Sequence, residues 1–250
     1  MLIMAMVAGA LLAMSNAVDL ANEYGQGYGT ATQHARVSLE RIDRTVNEAF
    51  GKGIYPGVWV TEDVDGQWTY PNTLIVWHPG GTPANAAGPP LVQELVVFCP
   101  DPNAQKDFVQ LTFPGNTTPV PSDTPSLTTL IDSLKTSSGV NKVVLTPLLY
   151  VPAAASATAG TSVPRAAVRF VVTLTPSASA WAAYNAGTLA WGSLPWVLGI
   201  ESSNTGAGLR QVWLRTEMQL TPAVTWVASN PAGEGNMPFF GSACFYYGLP

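Results

Sequence analysis

Few side chains in this sequence are suited to nucleophilic or metal chemistry. The chain has two histidines, His34 and His78, and two cysteines, Cys99 and Cys244. A catalytic triad needs a histidine base near its nucleophile, and the sequence contains no G-x-S-x-G nucleophile elbow. The His and Cys residues also lack the spacing of a zinc site. We therefore expect a protein that is not an enzyme and has no catalytic residue, metal ion or cofactor.

Two further segments are weak matches to ligand-binding loops. Glu62, Asp63 and Asp65 precede Gly66, but the spaced ligands and the distal glutamate of a calcium loop are missing. We interpret them as an acidic hairpin turn. The segment GQGYG at 25–29 has neither the preceding strand nor the spacing of a dinucleotide fingerprint. A carboxylate pair for glycoside hydrolysis stays open, although 16 acidic residues leave few candidates.

The composition indicates a turn-rich, strand-rich protein with material for a sizeable core. Of the 250 residues, 47% are apolar and 11% are charged, with 23 glycines and 21 prolines. Typical soluble domains have about 25% charged residues. The formal net charge is −5, so phosphate neutralisation has no electrostatic basis and we expect no nucleic-acid partner.

The chain begins with a long uncharged segment. Its first charged residue is Asp19, and residues 1–18 are apolar or small throughout except for two polar positions. A membrane-spanning helix needs roughly 17–25 residues. A secretory signal peptide would need a positively charged start, and an ordinary buried helix would need protein on every side. We favour a membrane-compatible helix that also packs against other copies of itself.

A glycine-rich stretch separates this segment from a second helical pattern. Gly25, Gly27 and Gly29 stand at alternate positions, and each costs about 1 kcal/mol in a helix interior relative to alanine. We predict a flexible joint over residues 25–30. From 31 to 50, apolar residues recur at spacings of three and four, which predicts an amphipathic helix. Its apolar stripe consists of Ala35, Leu39, Ile42, Val46 and Ala49.

The two helical halves together resemble a known family. The segment MLIMAMVAGALLAM, followed by ARVSLERIDRTVNEA, is similar to the N-terminal helix of the type IV pilin and type II secretion pseudopilin superfamily. The resemblance covers about fifty residues and is greatest to pseudopilins with a larger β-rich head. It implies a structural subunit of an extracellular pilus-like or pseudopilus filament. It also implies a precursor held in the inner membrane, and partners that are further copies or other pilin-like subunits.

In this interpretation the hydrophobic segment, residues 1–24, mediates assembly. Small residues let neighbouring helices approach closely where the hydrophobic effect does not distinguish protein from lipid. A second hypothesis is a membrane-anchored β-rich binding module for a glycan or cell-wall ligand, and a third is a secreted hydrolase. The residues expected to form the filament core are Leu2, Ile3, Met6, Val7, Gly9, Leu11, Leu12 and Val18.

The remaining chain is predicted to be β-rich. Residues 53–250 form an antiparallel sheet head and residues 1–52 a helical spine, so the expected fold class is α+β. Strands are predicted from short β-branched and aromatic runs bounded by Gly, Pro, Asn and Asp. These runs are 58–60, 73–77, 91–98, 140–146, 166–175 and 210–220.

Two details of the head follow from periodicity. A further helix is expected from Ser126 to Lys135, capped by Ser126 or Thr124. In the run 210–220, alternate apolar residues from Val212 to Leu220 should face the core, and Trp213 should face outward.

The stretch from Phe170 to Ile200 has no charged residue but is rich in aromatic side chains. These side chains fill the core of the head, form a subunit interface, or make a carbohydrate platform. We favour the first interpretation and keep the others open. The aromatic residues concerned are Trp181, Tyr184, Trp191 and Trp196.

The two cysteines are predicted to be joined. An even number of cysteines in an exported protein indicates a disulfide, here between Cys99 and Cys244. The bond would close a long loop and stabilise the head by about 4–5 kcal/mol. Two separate buried thiols are the alternative.

Overall fold

The computed structural model describes residues 2–65, 68–85, 88–152, 164–196, 208–222 and 236–248. Its first element is α1, Leu2–Asn47, a single helix of 46 residues. Within the described ranges, eight strands and two shorter α-helices follow in the head. The predicted α+β class is therefore confirmed.

The second half of α1 is anchored in the head by its apolar stripe. Ala35, Ile42 and Val46 are buried, and Leu39 and Ala49 pack against the same core. Because these residues recur every three or four positions, they lie on one side of the helix. The stripe predicted for residues 31–50 is confirmed.

The glycine stretch does not interrupt α1. The helix continues through Gly25, Gly27 and Gly29, so the predicted joint is absent from this structure. Helix formation is cooperative, and a short stretch between two helical halves needs only propagation. The rings of Tyr24 and Tyr28 also stack one turn apart, with centroids separated by 4.0 Å. These contributions offset the propensity cost of the glycines.

The first sheet contains five strands, and all its neighbouring strands are antiparallel. Four of these strands correspond to predicted runs, whereas the fourth strand in the order was not predicted. The strands lie side by side in chain order: β1, Val58–Asp65; β2, Trp68–Trp77; β3, Leu95–Asp101; β4, Ala104–Thr112; β5, Asn141–Thr146.

Helix α2, Thr124–Lys135, covers one face of the first sheet. Its Leu127 and Ile131 are buried against that face. The Asp123 carboxylate caps the helix by accepting a hydrogen bond from the Ser126 amide at 2.9 Å. The predicted helix is confirmed, but it begins two residues earlier and its cap is Asp123.

The second sheet has three antiparallel strands, β6, Val168–Thr175, β7, Leu209–Leu220, and β8, Met237–Gly248. A short helix, α3, Ala178–Asn185, follows β6. Along β7, alternate residues from Val212 to Leu220 are buried, and Trp213 is 42% exposed. The predicted alternation is confirmed.

The strands form two sheets where a single one was predicted. In the described chain, an isolated bridge between Leu149 and Leu220 is the backbone pairing that links the two sheets. Pro147 and Pro152 flank Leu149. Because proline has no N–H to donate to a ladder, pairing cannot extend far in this segment.

The core of the head lies on both faces of the first sheet. On one face, Phe98, Phe108 and Phe170 pack in a row with ring centroids 6.4 and 6.3 Å apart. This cluster joins the first sheet to the second sheet and to α1. On the other face, Trp77 and its neighbours pack beneath α2.

The two cysteines are not bonded to each other, so the predicted disulfide is wrong. Cys99 lies on β3 and is buried in the cluster beneath α2. Cys244 lies on β8 and is exposed, pointing away from the core. A disulfide needs closely spaced and mutually oriented Cβ atoms, whereas these two residues belong to different sheets and different surroundings.

Candidate functional site

The first half of α1 projects from the head as an apolar rod. The described side chains from Ile3 to Asn22 are all exposed, and the first buried position is Gly27. A run of about 25 helical residues extends about 37 Å at 1.5 Å per residue. Met4 is 81% exposed, Leu12 is 65% exposed and Met6 is 69% exposed. At 100° per residue these three positions lie on different sides of the helix axis, so the apolar side chains are distributed around the whole rod.

Within the described ranges, no helix combines the length and the hydropathy that crossing a bilayer requires.

The residues expected to mediate assembly all lie on this rod. The side chain of Leu2 is outside the described part of the chain. At Gly9, an added Cβ would meet no described atom within 4 Å. The other six side chains are between 50% and 77% exposed: Ile3, Met6, Val7, Leu11, Leu12 and Val18.

Polar contacts fix the second half of α1 to the head. Arg41 donates from Nε to Oε1 of the buried Gln110 side chain at 2.7 Å. His78 Nε2 lies 3.0 Å from the Glu48 carboxylate, and this hydrogen bond lowers the pKa of Glu48. His34 Nδ1 lies 3.4 Å from the Leu145 carbonyl oxygen. Both histidines thus have structural contacts between α1 and the head.

Helix α1 also passes close to β8. A Cβ added at Gly241 would lie 2.8 Å from Cδ2 of Leu39. A glycine at this position of β8 lets the helix approach the strand closely. The second half of α1 and the second sheet are therefore parts of one packed unit.

The acidic turn near β1 is engaged in ion pairs. Asp63 accepts hydrogen bonds from Asn72 at 2.9 Å, Lys135 at 3.4 Å and Arg165 at 3.1 Å. Lys135 also donates to Asp132 at 3.0 Å. These partners come from β2, α2 and the segment before β6, so Asp63 holds three parts of the head together.

The second sheet has an exposed face that we call the outer face, defined by Trp213, Arg215, Phe240, Cys244 and Tyr246. The exposed fractions are 42% for Trp213, 69% for Phe240 and 41% for Tyr246. The Arg215 guanidinium lies over the Trp213 ring, 5.8 Å from its centroid, in a cation–π arrangement. Three large aromatic side chains and an arginine therefore share one uncovered sheet face.

A groove runs along the outer face. It has a volume of about 380 Å³ and is lined by Trp213, Arg215, Glu217 and Phe240 among others. A cleft of about 710 Å³, between the second sheet and the β1–β2 hairpin, shares Glu217 and Phe240 with it. Glu217 and Phe240 thus line both concave sites.

The end of the β1–β2 hairpin is a second exposed surface. We call it the β1–β2 tip and define it by Glu62, Val64 and Trp68. Val64 is 66% exposed and Trp68 is 64% exposed, and Glu62 is exposed as well. Val64 pairs with Thr69 and Trp68 pairs with Asp65 in the register, so the two apolar residues lie on opposite faces of the ribbon.

The aromatic residues near α3 pack on one another. Trp191 is buried, and its ring centroid lies 4.6 Å from that of Trp196, 5.4 Å from Tyr184 and 6.2 Å from Trp181. Trp196 also donates from Nε1 to the Trp191 carbonyl at 3.1 Å. This arrangement agrees with the interpretation that these rings belong to the core of the head.

Sequence reasoning did not identify the outer face or the β1–β2 tip as surfaces. The outward position of Trp213 was predicted, but Phe240, Tyr246, Val64 and Trp68 were not singled out. Comparison of the chain with protein-family models, curated proteins and solved structures finds no match.

Proposed function

We propose that this protein is a structural subunit of an extracellular pilus-like or pseudopilus filament and that it polymerises through the first half of α1. The observation that supports this proposal is the apolar rod, whose side chains are exposed on every side while the rest of the helix is packed into a folded head. Monomeric soluble proteins rarely expose so large a contiguous apolar surface. The rod therefore requires cover from outside its own chain.

Other copies of the same rod supply that cover in the assembled state. Ala8, Gly9 and Ala10 place small residues at three consecutive positions of a turn of 3.6 residues, so small residues face most of its circumference. Small residues allow helix backbones to approach closely, and van der Waals contact then provides the affinity. Further copies or other pilin-like subunits fit this role.

Before assembly, lipid of the inner membrane covers the same surface in this proposal. A helix that is apolar on all sides exchanges lipid neighbours for protein neighbours at little hydrophobic cost. The same helix can then serve first as an anchor and later as the filament core.

The three glycines have a role in this transfer. Each lowers helix propensity by about 1 kcal/mol relative to alanine, so bending between residues 25 and 30 is less costly than elsewhere in α1. The rod can thereby take a different angle to the head when subunits pack together. Helix α1 is continuous in the isolated chain and, in this proposal, bends upon assembly.

Truncation tests whether the rod drives polymerisation. The full chain and a chain without residues 1–24 are purified in detergent, the detergent is removed, and polymer is measured by sedimentation and electron microscopy. We expect filaments from the full chain and none from the truncated chain. If the truncated chain polymerises equally well, the rod is an anchor only and the proposal fails.

Point substitutions refine the test. Val7→Arg places a charge in the rod at a cost of about 2.5–3.5 kcal/mol in an apolar environment, repeated in every subunit, so polymerisation should be abolished. Gly9→Leu should weaken it by separating neighbouring helices. Val37→Arg is the matched control, because Val37 is also on α1 and 56% exposed but lies on the anchored half. Equal loss in the control would contradict a specific role of the rod.

A further inference from the structure

We infer that the β1–β2 tip of one subunit docks on the outer face of the next copy of the same chain. This inference rests on the proposed polymerisation and adds a second contact, between heads, to the contact between rods. It assigns a partner to two exposed surfaces that the rod does not use.

The outer face has the composition of a binding surface. Aromatic residues and arginine are enriched where protein partners bind, and Trp, Tyr and Arg dominate the binding energy. Trp213, Arg215, Phe240 and Tyr246 bring these residue types together on a face that stays uncovered in the isolated chain. The groove of about 380 Å³ gives this face a concave site beside Phe240.

The β1–β2 tip is complementary to this site. Val64 and Trp68 present apolar surface on both faces of a narrow ribbon, so an occupied groove buries both, whereas a flat surface covers only one. The tip carries the exposed carboxylate of Glu62. The outer face carries the exposed guanidinium groups of Arg169 and Arg215, and the Glu217 carboxylate lies opposite Arg169 in the register, which leaves Arg215 to face Glu62. Opposite charges on the two surfaces favour this pairing and fix its register.

Each copy of the chain carries both surfaces, and because the two surfaces differ, a second copy can bind without closing the pair. A contact between unlike patches of identical subunits is heterologous, and a heterologous contact that does not close into a ring repeats into an open helical polymer. Neighbouring heads in a filament are also held at high effective concentration by their rods. A weak contact between heads is then sufficient to be occupied.

Cys244 provides a native probe of this contact. It lies on the outer face, opposite Trp213 in the register of β7 with β8, and Thr69 lies opposite Val64 at the tip. The full-length variant Thr69→Cys is polymerised by detergent removal, oxidised, and analysed by non-reducing electrophoresis. We expect a ladder of cross-linked subunits. No ladder should form when Cys244→Ser is added, or when the new cysteine is placed by Val37→Cys.

Charge exchange tests the same contact without a cross-link. Arg215→Glu and Glu62→Arg should each raise the critical concentration for polymerisation, by about fivefold. The double variant should recover most of this loss, and unchanged thermal midpoints of the monomers will show that the variants fold. Loss in both single variants without recovery in the double variant would overturn the assigned pairing.

The outcomes separate this inference from the proposed function. If the wild-type chain polymerises and the truncated chain does not, but the ladder is absent and the charge variants behave as wild type, only the contact between heads is overturned. If the wild-type chain forms no polymer, the proposed function and the inference fail together. Cross-links found only within single chains would also overturn the inference.

Discussion

Trp213 of β7 lies directly opposite Cys244 of β8, and both side chains point away from the core of the head. The thiol is therefore accessible at the edge of an aromatic surface. Cys99, in contrast, is buried beneath α2, and burial raises the pKa of its thiol to about 12. The two cysteines thus differ in access to solvent.

This difference predicts selective alkylation. Because the thiolate is the nucleophile, a pKa of about 12 leaves about one Cys99 in ten thousand ionised at pH 8. Iodoacetamide should label Cys244 rapidly in the native protein and Cys99 only after denaturation, as peptide mass spectrometry will show. Equal labelling of both residues in the native protein would contradict the structure. So would a native protein in which neither residue is labelled until a reductant is added, because that result indicates a disulfide.

The Glu94 side chain ties the loop before β3 to the core. Its carboxylate accepts hydrogen bonds from Trp77 Nε1 at 3.1 Å, the Ala84 amide at 2.6 Å and the Leu91 amide at 3.0 Å. Glu94→Ala should lower the free energy of unfolding by about 2–3 kcal/mol, because it leaves the buried indole donor without its acceptor. Urea denaturation measures this loss.

Two controls accompany that measurement. Glu94→Gln retains one acceptor oxygen and should lose less stability than Glu94→Ala. Glu62→Ala removes an exposed glutamate and should change stability little. An effect of Glu94→Ala no larger than that of Glu62→Ala would show that the three hydrogen bonds contribute nothing.

The cap of α2 predicts a pH dependence. The hydrogen bond from the Ser126 amide lowers the pKa of the Asp123 carboxyl. Since the folded-state pKa lies below the unfolded value, the cap contributes fully above the unfolded pKa, and its contribution is lost as pH falls through the folded pKa. The unfolded value is about 3.9, so the loss should occur below about pH 4.

Asp123→Asn isolates this contribution, because asparagine also caps helices but does not titrate. Thermal midpoints measured from neutral pH into the acid range should fall less steeply for the variant than for the wild type below about pH 4. Parallel curves would show that Asp123 ionisation has no part in acid stability.

The glycine stretch in α1 can be stiffened without steric conflict. An added Cβ at Gly25 or Gly29 would meet no described atom within 4 Å, whereas Gly27 is buried. The double variant Gly25→Ala, Gly29→Ala should stabilise the helix by about 1 kcal/mol per site. Circular dichroism should show that the variant retains more helix than the wild type as the temperature is raised. Polymerisation of the variant should be impaired. If the variant polymerises as well as the wild type, the proposal that α1 bends upon assembly is wrong.

Local periodicity predicted those elements in which apolar and polar residues separate cleanly. The stripe from Ala35 to Val46 and the alternation from Val212 to Leu220 both match the buried positions. In β8, Phe239 and Phe245 point inward while Phe240 and Tyr246 point outward. Aromatic residues on both faces conceal the period of two, so no strand signal stands out there.

Long-range relationships were not predictable from the same patterns. The separation of the strands into two sheets depends on which strands pair, and pairing between distant segments has no local signature. The cysteine pairing failed for this reason, since it assumed that β3 and β8 come together. The outer face likewise required the register that places Trp213 beside Cys244.

The packing of α1 against β8 joins the first element of the chain to the last. Roughly 190 residues lie between the end of α1 and the start of β8. At translation rates of about 5–20 residues per second, the ribosome needs about 10–40 s to synthesise them. During that interval the apolar stripe of α1 lacks its final partner and stays exposed unless other parts of the nascent chain cover it.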